Sequence, residues 1–247
     1  MAEIIAIIPA RKGSLRVPNK NIRNLDGHPL IAYSIQSAIN SKIFQSIIVA
    51  SDSDLICEIG NYYGATKSIK RGESDSSSTS LDIEWLKNLD NAGDLNSEFF
   101  AILRPTSPLR SENLIKRCID AFLVSRADSL RTISKVTEHP GKMWRLEKGG
   151  IIHPYLKQEE FSHATHAMQY QSLEELFVQT SVFEIAKTTN IKGTESREGN
   201  IVMGYVTEGI ESHSIDSEED FKHLKYLISN NPKLLPVIDK SPIRLTE

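Results

Sequence analysis

The 247-residue chain carries 29 Lys plus Arg against 32 Asp plus Glu, a net charge of −3, with 39% hydrophobic and 25% charged residues. That is the make-up of a soluble globular protein, and 13 Gly with 10 Pro are too few for a fibrous or low-complexity chain. The near-neutral balance lacks the basic footprint of a nucleic-acid binder, and no apolar run approaches the ~20 residues of a membrane span, so neither partner is expected. Cys57 and Cys118 are the two cysteines and no CxxC occurs, which excludes a zinc ribbon or a thioredoxin-like redox pair. With no basic-then-apolar order at the N-terminus, the expected location is cytoplasmic.

Ile4 to Ile8 is a continuous apolar run stopped by Pro9, the pattern of a strand buried on both faces. A loop follows to Asn21, and Pro29 opens a helical pattern carried by Leu30, Ile31, Ile35, Ala38 and Ile39. Phe44 to Ala50 predicts a second buried strand, with Ser51 and Asp52 as caps of a helix through Tyr62. Further on, the sequence predicts a helix over 80–89, a strand over 99–103, a loop over 105–110, a helix over 112–124 and a strand over 129–136. Residues 138–175 break this alternation and read as an inserted arm, a hairpin used for association. Strands are predicted over 177–185 and 201–206, and a last helix over 217–229. The expected architecture is a three-layer α/β, Rossmann-like sheet, mostly parallel. It comprises one domain over 1–230 and a loosely held tail over 231–247.

The loop after the first strand is the clearest chemical signal. Arg11, Lys12, Arg16, Lys20 and Arg23 fall in it or just beyond, between Arg11 and Asn24, with no acid among them. It leaves the carboxyl end of a buried parallel strand, where open α/β sheets place ligands. Gly13 permits close backbone approach, successive N–H groups can form an anion nest, and Arg11, Arg16 and Lys20 add charge-assisted donors suited to a polyphosphate. Neither GxxxxGK[ST] nor GxGxxG is present, so a Walker-type or dinucleotide site is disfavoured. Near the other end, Asp216 sits just outside the final helix and is the candidate ligand for a hard divalent cation. Ser217 and Asp220 form a capping pattern of their own. His163 and His166 make an HxxH pair without a third ligand and read as a polar surface turn or part of an arm at a subunit contact. Phe177, Val178, Val182 and Phe183 read as core.

IIPARKGSLRVPNKNIRNLDGHPLIAYSI, RPTSPLR at 104–110 and SIDSEEDF at 214–221 together resemble, in order and spacing, the acylneuraminate cytidylyltransferases and the related CMP-KDO synthetases. The resemblance covers roughly residues 3–228. It implies a reaction in which an acceptor oxygen attacks the α-phosphorus of CTP, pyrophosphate leaves, and Mg²⁺ (or Mn²⁺) screens the phosphates. By that pattern Arg11, Lys20 and Asp216 are the catalytic residues. The expected nucleotide contacts are Ala10, Arg11, Gly13, Ser14, Arg16, Asn21, Arg71 and Asp75. Arg104, Thr106, Ser107, Arg110, Tyr170 and Gln171 are expected to meet a small acidic sugar, and Asp216 with Ser214 the metal. Exchange of the arms between two chains is the expected route to a homodimer.

Four positions depart from the family's usual pattern. Leu15 replaces a lysine in the loop, Arg104 a glutamine, Tyr170 an arginine that pairs with the acceptor carboxylate, and Ser214 the first aspartate of an Asp-Ile-Asp motif. The first and last touch nucleotide and metal; the other two touch the acceptor. The acceptor is therefore expected to be a nonulosonic acid of sialic, legionaminic or pseudaminic type, for cell-surface glycan synthesis. Two rival readings are transfer to a sugar 1-phosphate, giving an NDP-sugar, and nucleotide binding without catalysis.

Overall fold

The computed structural model describes residues 2–14, 16–72, 81–156, 164–193 and 196–243. Its first strand, β1 (Ile4–Pro9), explains the architecture in miniature. Ile4, Ala6 and Ile8 enter one apolar cluster while Ile5 and Ile7 enter another, as the two-residue period of a strand buried on both faces requires.

A two-residue hairpin, β2 (Asn24–Leu25) and β3 (His28–Pro29), then leads into α1 (Leu30–Ser41). The chain continues through β4 (Ser46–Ser51), α2 (Asp54–Tyr63), β5 (Lys67–Lys70), α3 (Asp82–Asn91), β6 (Phe99–Ile102), α4 (Glu112–Leu123) and β7 (Ser129–Lys135). The arm carries a short antiparallel hairpin, β8 (Trp144–Leu146) with β9 (Ile152–Pro154), turned by Gly149 and Gly150 at φ 89° and 84°. The remaining elements are β10 (Phe177–Lys187), α5 (Thr189–Gly193), β11 (Val202–Val206) and α6 (Glu218–Asn230).

The central sheet has seven strands in the order β11-β7-β10-β6-β1-β4-β5. Only β10 runs antiparallel to its neighbours. Helices α1, α2 and α4 cover one face with Ile31, Ile35, Ile59, Leu114 and Ile119 among their buried residues. On the opposite face α3 supplies Ile83, Trp85, Leu86 and Leu89. The expected three-layer α/β, Rossmann-like fold is thus observed. Gly60 marks how closely α2 approaches the sheet: a Cβ there would stand 2.7 Å from Ser68 Oγ and 2.9 Å from Val49 Cγ2.

One local expectation needs correction. Val182 and Phe183 are core, but Phe177 and Val178 are exposed, because the first residues of β10 pair with the end of β7 at Lys135 and Ser134, beyond the apolar layers. The described part of the tail, 231–243, is mostly exposed and touches the core at a few positions. Leu235 is buried in a third apolar cluster with Val17, Leu25, Leu30, Tyr33, Leu109, Ile215, Phe221, Leu224 and Ile228. Ile238 and Ile243 also lie against core residues. Tyr62 Oη donates to the Ser241 carbonyl at 2.9 Å, and the Ile243 N–H donates to Tyr63 Oη at 3.3 Å. These apolar positions follow no helical or strand period, so no sequence pattern announces them. Leu235→Ala should lower the unfolding free energy by ~2–3 kcal/mol, as large-to-small changes in a core do. Val237→Ala, at a position 73% exposed, should stay within ~0.5 kcal/mol. Urea unfolding of the two variants checks the contrast.

Candidate active site

The parallel strands β1, β4, β5 and β6 all deliver their following loops to one edge of the sheet, the position that favours ligand binding in open α/β folds. At that edge the basic loop is fastened at both ends and open in the middle. The Ala10 N–H continues the ladder to the Ala50 carbonyl at 2.9 Å, and the Lys12 N–H donates to Asp52 Oδ1 at 2.7 Å. Asp52 therefore anchors the loop, in place of the helix-capping role expected for it; Ser53 stands at the N-cap of α2. Asn19 adopts a left-handed conformation at φ 52°, and Asn21 Nδ2 reaches back to the Arg11 carbonyl at 2.9 Å. Val17 is fully buried in the third apolar cluster. Between these fixings, a Cβ added to Gly13 would meet no atom within 4 Å. Ser14 is half-buried and Arg16 is exposed; Leu15 lies outside the described residues.

The C-terminal motif is brought to this loop by backbone bonds. The Ile215 N–H donates to the Thr106 carbonyl at 2.9 Å, and Lys20 Nζ donates to the Ile215 carbonyl at 2.8 Å. All three sequence motifs thus meet within two hydrogen bonds of one another. Beneath them Val17, Leu109 and Ile215, one apolar residue from each motif, share a single cluster. Ser217 and Asp220 form the expected capping box at the start of α6, and Asp220 also accepts the Asp216 N–H at 2.9 Å. Asp216 itself remains 54% exposed, with Oδ1 3.2 Å from Arg16 Nη2.

Burial and the crowding of like charge both shape the electrostatics here. Burial lowers the Lys20 pKa; Asp216 opposes the shift, while Arg16 and Arg11 push it further down. An anion arriving here would relieve repulsion among three cations already held together by backbone geometry.

The other expected residues divide. The Arg71 N–H continues from β5 to the Ser51 carbonyl at 2.7 Å, and its guanidinium lies 5.5 Å from the Trp85 ring centroid. The Trp85 indole N–H donates to Asp82 Oδ1 at 3.1 Å. Asp75 lies outside the described residues. Arg104 bonds to Asp82 and, at 3.4 Å, to Glu184. Arg110, expected to meet the acceptor, is instead only 1% exposed. It donates to the Arg104 carbonyl and to Ser34 Oγ, at 3.1 and 2.9 Å, and so braces the loop from inside. Burial pushes its pKa down to about 9, still above neutrality, so it stays charged.

Thr106 Oγ1, Ser107 Oγ and Ser214 Oγ are covered and have no hydrogen-bonding partner among the described residues. Tyr170 and Gln171 belong to the arm. Tyr170 Oη donates to the Val136 and Thr137 carbonyls at 3.1 and 3.0 Å, with its ring against His139, so the single chain does not bring it to the basic loop. His166 packs at a tilt against the Trp144 ring, centroids 4.8 Å apart, and His163 lies outside the described residues.

Sequence reasoning missed an ionic network around Arg104. Asp82, Arg131, Glu184, Arg197 and Glu198 join it. These residues are scattered over positions 82–198 with no shared motif, so only the folded sheet reveals them.

Residues 5–234 match the cytidylyltransferase family. The chain is 33% identical over 160 residues to the CMP-N,N'-diacetyllegionaminic acid synthase of Legionella pneumophila, covering 63% of this chain and 68% of that protein. It is 30% identical over 224 residues to the N-acylneuraminate cytidylyltransferase of Streptococcus agalactiae, covering 89% of this chain and 52% of that longer protein. Among solved structures, CMP:2-keto-3-deoxy-manno-octonic acid synthetase complexed with CTP superposes with a TM-score of 0.67 at 12% identity, covering 93% of this chain and 99% of that one; at such low identity the likeness is one of fold. A family match running from the first strand to the start of the tail takes in the basic loop, the Arg104–Arg110 segment and Asp216 together, and the chain therefore belongs to the cytidylyltransferase family of nucleotidyltransferases.

Proposed function

We propose that the chain transfers CMP from CTP to a nonulosonic acid of sialic, legionaminic or pseudaminic type, releasing pyrophosphate. The observation that carries this reading is the bond from Lys20 Nζ to the Ile215 carbonyl, which sets the exposed Asp216 of the C-terminal motif beside the cations of the loop. The names of the relatives, a legionaminic acid synthase and an N-acylneuraminate cytidylyltransferase, support the acceptor class.

In this reading the acceptor hydroxyl oxygen bonds to the α-phosphorus, the bond to the bridging oxygen breaks, pyrophosphate leaves with the electron pair, and the hydroxyl proton passes to water. Such chemistry depends on positioning and charge neutralisation more than on a covalent nucleophile. The Gly13 and Ser14 amides, beyond the anchored Ala10 and Lys12, face the phosphate oxygens, with Gly13 leaving them room. Arg11, Arg16 and Lys20 offset the charge that grows on the departing diphosphate. Asn21 keeps the loop in shape through the Arg11 carbonyl, and Arg71 borders the nucleoside.

The Asp216 carboxylate fits a hard cation. No group of three His, Cys, Asp or Glu forms around it among the described residues, so phosphate and water oxygens would fill the shell, as Mg²⁺ ordinarily prefers. When bound, Mg²⁺ or Mn²⁺ supplies neutralisation of the phosphate oxygens. Ser214 Oγ is covered and would act by supporting Asp216 more than by ligating. Arg104 meets an acidic group of the acceptor. Exposed apolar residues of the arm and the adjoining strand, Leu146, Ile151, Phe177 and Val178 among them, support arm-mediated pairing of two chains, which would carry Tyr170 and Gln171 toward the partner. Free thiols at Cys57 and Cys118 suit a reducing, cytoplasmic setting.

Incubation with CTP, Mg²⁺ and a panel of acceptors tests the reaction. Pyrophosphate should appear with nonulosonic acids; release only with sugar 1-phosphates would select the rival transfer, and binding without turnover the non-catalytic reading. Lys20→Ala should lower kcat/KM for CTP about 10²- to 10³-fold, the range for losing one preorganised donor. Because the free enzyme needs Lys20 protonated, kcat/KM should fall as pH rises through a pKa below the 10.5 of an ordinary lysine. Lys20→Arg should move that descending limb to higher pH, and an unmoved limb would remove Lys20 from the step. Asp216→Asn should raise the midpoint of a Mn²⁺ titration followed by electron paramagnetic resonance in the presence of CTP. Light scattering at micromolar concentration should give a dimer mass, and a monomer mass would count against arm pairing.

A further inference from the structure

The ionic network around Arg104 draws on five separated parts of the chain. Asp82 opens α3, Arg104 follows β6, Arg131 and Glu184 face each other across β7 and β10, and Arg197 and Glu198 follow α5. Arg104 and Arg197 share the same two acids. Both bond to Asp82, while Glu184 takes Arg104 Nε on Oε1 at 3.4 Å and Arg197 Nη2 on Oε2 at 2.6 Å. Arg197 Nε reaches Glu198 at 3.2 Å, and Glu198 also binds Arg131. The three guanidinium charges are thus balanced by three carboxylates. Burial alone would raise the Asp82 carboxyl, but Arg104 and Arg197 outweigh it and hold its pKa at about 2.

Within this set the exposure is unequal. The Arg197 side chain is 10% exposed, Arg131 15% and Glu184 8%, whereas Arg104 is 27% exposed. Two of the Arg104 nitrogens, Nε and Nη2, are committed to the acids, and Nη1 has no bond among the described residues. Arg104 is therefore the arginine of the network best placed to meet an anionic ligand, and Arg197 is its buried counterpart on the same carboxylates.

We propose that Arg197 is a positioning residue for acceptor recognition, bracing Asp82 and Glu184 so that they hold the Arg104 guanidinium in one orientation with its remaining edge available to an anionic group of the acceptor. The inference rests on the transfer reaction proposed above. Two physical effects of losing Arg197 act in the same direction. The network would carry one uncompensated negative charge, which repels an acidic acceptor, and the freed carboxylate oxygens would draw Arg104 inward. Nothing in either effect reaches the triphosphate loop, whose anchors are Asp52, Ile215 and the Ala50 carbonyl. Lysine at 197 keeps the charge but loses the planar fork.

The test is steady-state kinetics of the full chain with CTP and the nonulosonic acid that wild type turns over. Arg197→Met should raise the acceptor KM by ~10-fold or more while the CTP KM stays within ~2-fold, the scale of losing one member of a charge-paired set. Arg197→Lys should recover part of the loss. In an Arg104→Gln background the same Arg197→Met change should add less than ~2-fold, because coupled residues are non-additive. An unchanged acceptor KM, an equal rise in both KM values or full additivity would overturn the inference. If Arg197→Met fails to fold, Arg197→Lys carries the test: a rise in acceptor KM alone supports the role, and a rise in both or neither overturns it. Wild type that releases no pyrophosphate with any nonulosonic acid would take down the reaction and this inference together, whereas turnover with an indifferent Arg197 would remove this inference alone.

Discussion

The site depends on holding like charges together without a ligand to reconcile them. Arg11, Arg16 and Lys20 repel one another, and a free loop bearing them would spread into solvent. Backbone and apolar contacts prevent that. Val17 is sunk into the cluster that contains Leu109 and Ile215, Asp52 grips the Lys12 amide, and Lys20 is tied to the Ile215 carbonyl. Burial lowers the pKa of Lys20, and Arg16 and Arg11 add to that shift against the pull of Asp216. In the proposed reaction this repulsion at rest would turn into attraction for a polyphosphate, with the apolar cluster beneath the loop keeping the cations assembled.

The parallel sheet sets where this can happen. Strands β1, β4, β5 and β6 end at a common edge, so the basic loop, Asp52, Arg71 and Arg104 are neighbours although they span 94 positions from 11 to 104. The antiparallel β10 adds Glu184 opposite Ile102, which lets a strand running the other way contribute a carboxylate to the same edge. On the opposite side of the motif cluster, α6 and the tail close over the hairpin and α1 through Phe221, Leu224 and Leu235. One end of the molecule therefore carries both the chemistry and the packing that steadies it.

Much of this was legible in the sequence where local pattern and tertiary outcome agree. The Ile4–Ile8 run reads as a doubly buried strand because both of its faces are covered, and the Ser217–Asp220 box reads as a helix start because capping is local chemistry. The basic loop stands out because five cations without an acid are unusual in a balanced chain. What escaped was set by distant partners. Arg110 looks like a surface donor in Pro-Leu-Arg, yet it is buried because its partners, the Arg104 carbonyl and Ser34 Oγ, lie inside. Asp52 looks like a helix cap until the Lys12 amide is seen to occupy it. Leu235 and Ile238 carry no period, and Asp82, Glu184 and Arg197 carry no motif, so their association exists only in the folded sheet.

The most direct measurement is a crystal structure of the chain with CTP bound. The account predicts the triphosphate in the loop from Ala10 to Asn21, its oxygens at hydrogen-bond distance, roughly 2.7–3.2 Å, from the loop amides and Lys20 Nζ, with the Asp216 carboxylate on the phosphate side. CTP bound elsewhere, or a loop left facing solvent with Lys20 still on the Ile215 carbonyl and no phosphate near it, would contradict it.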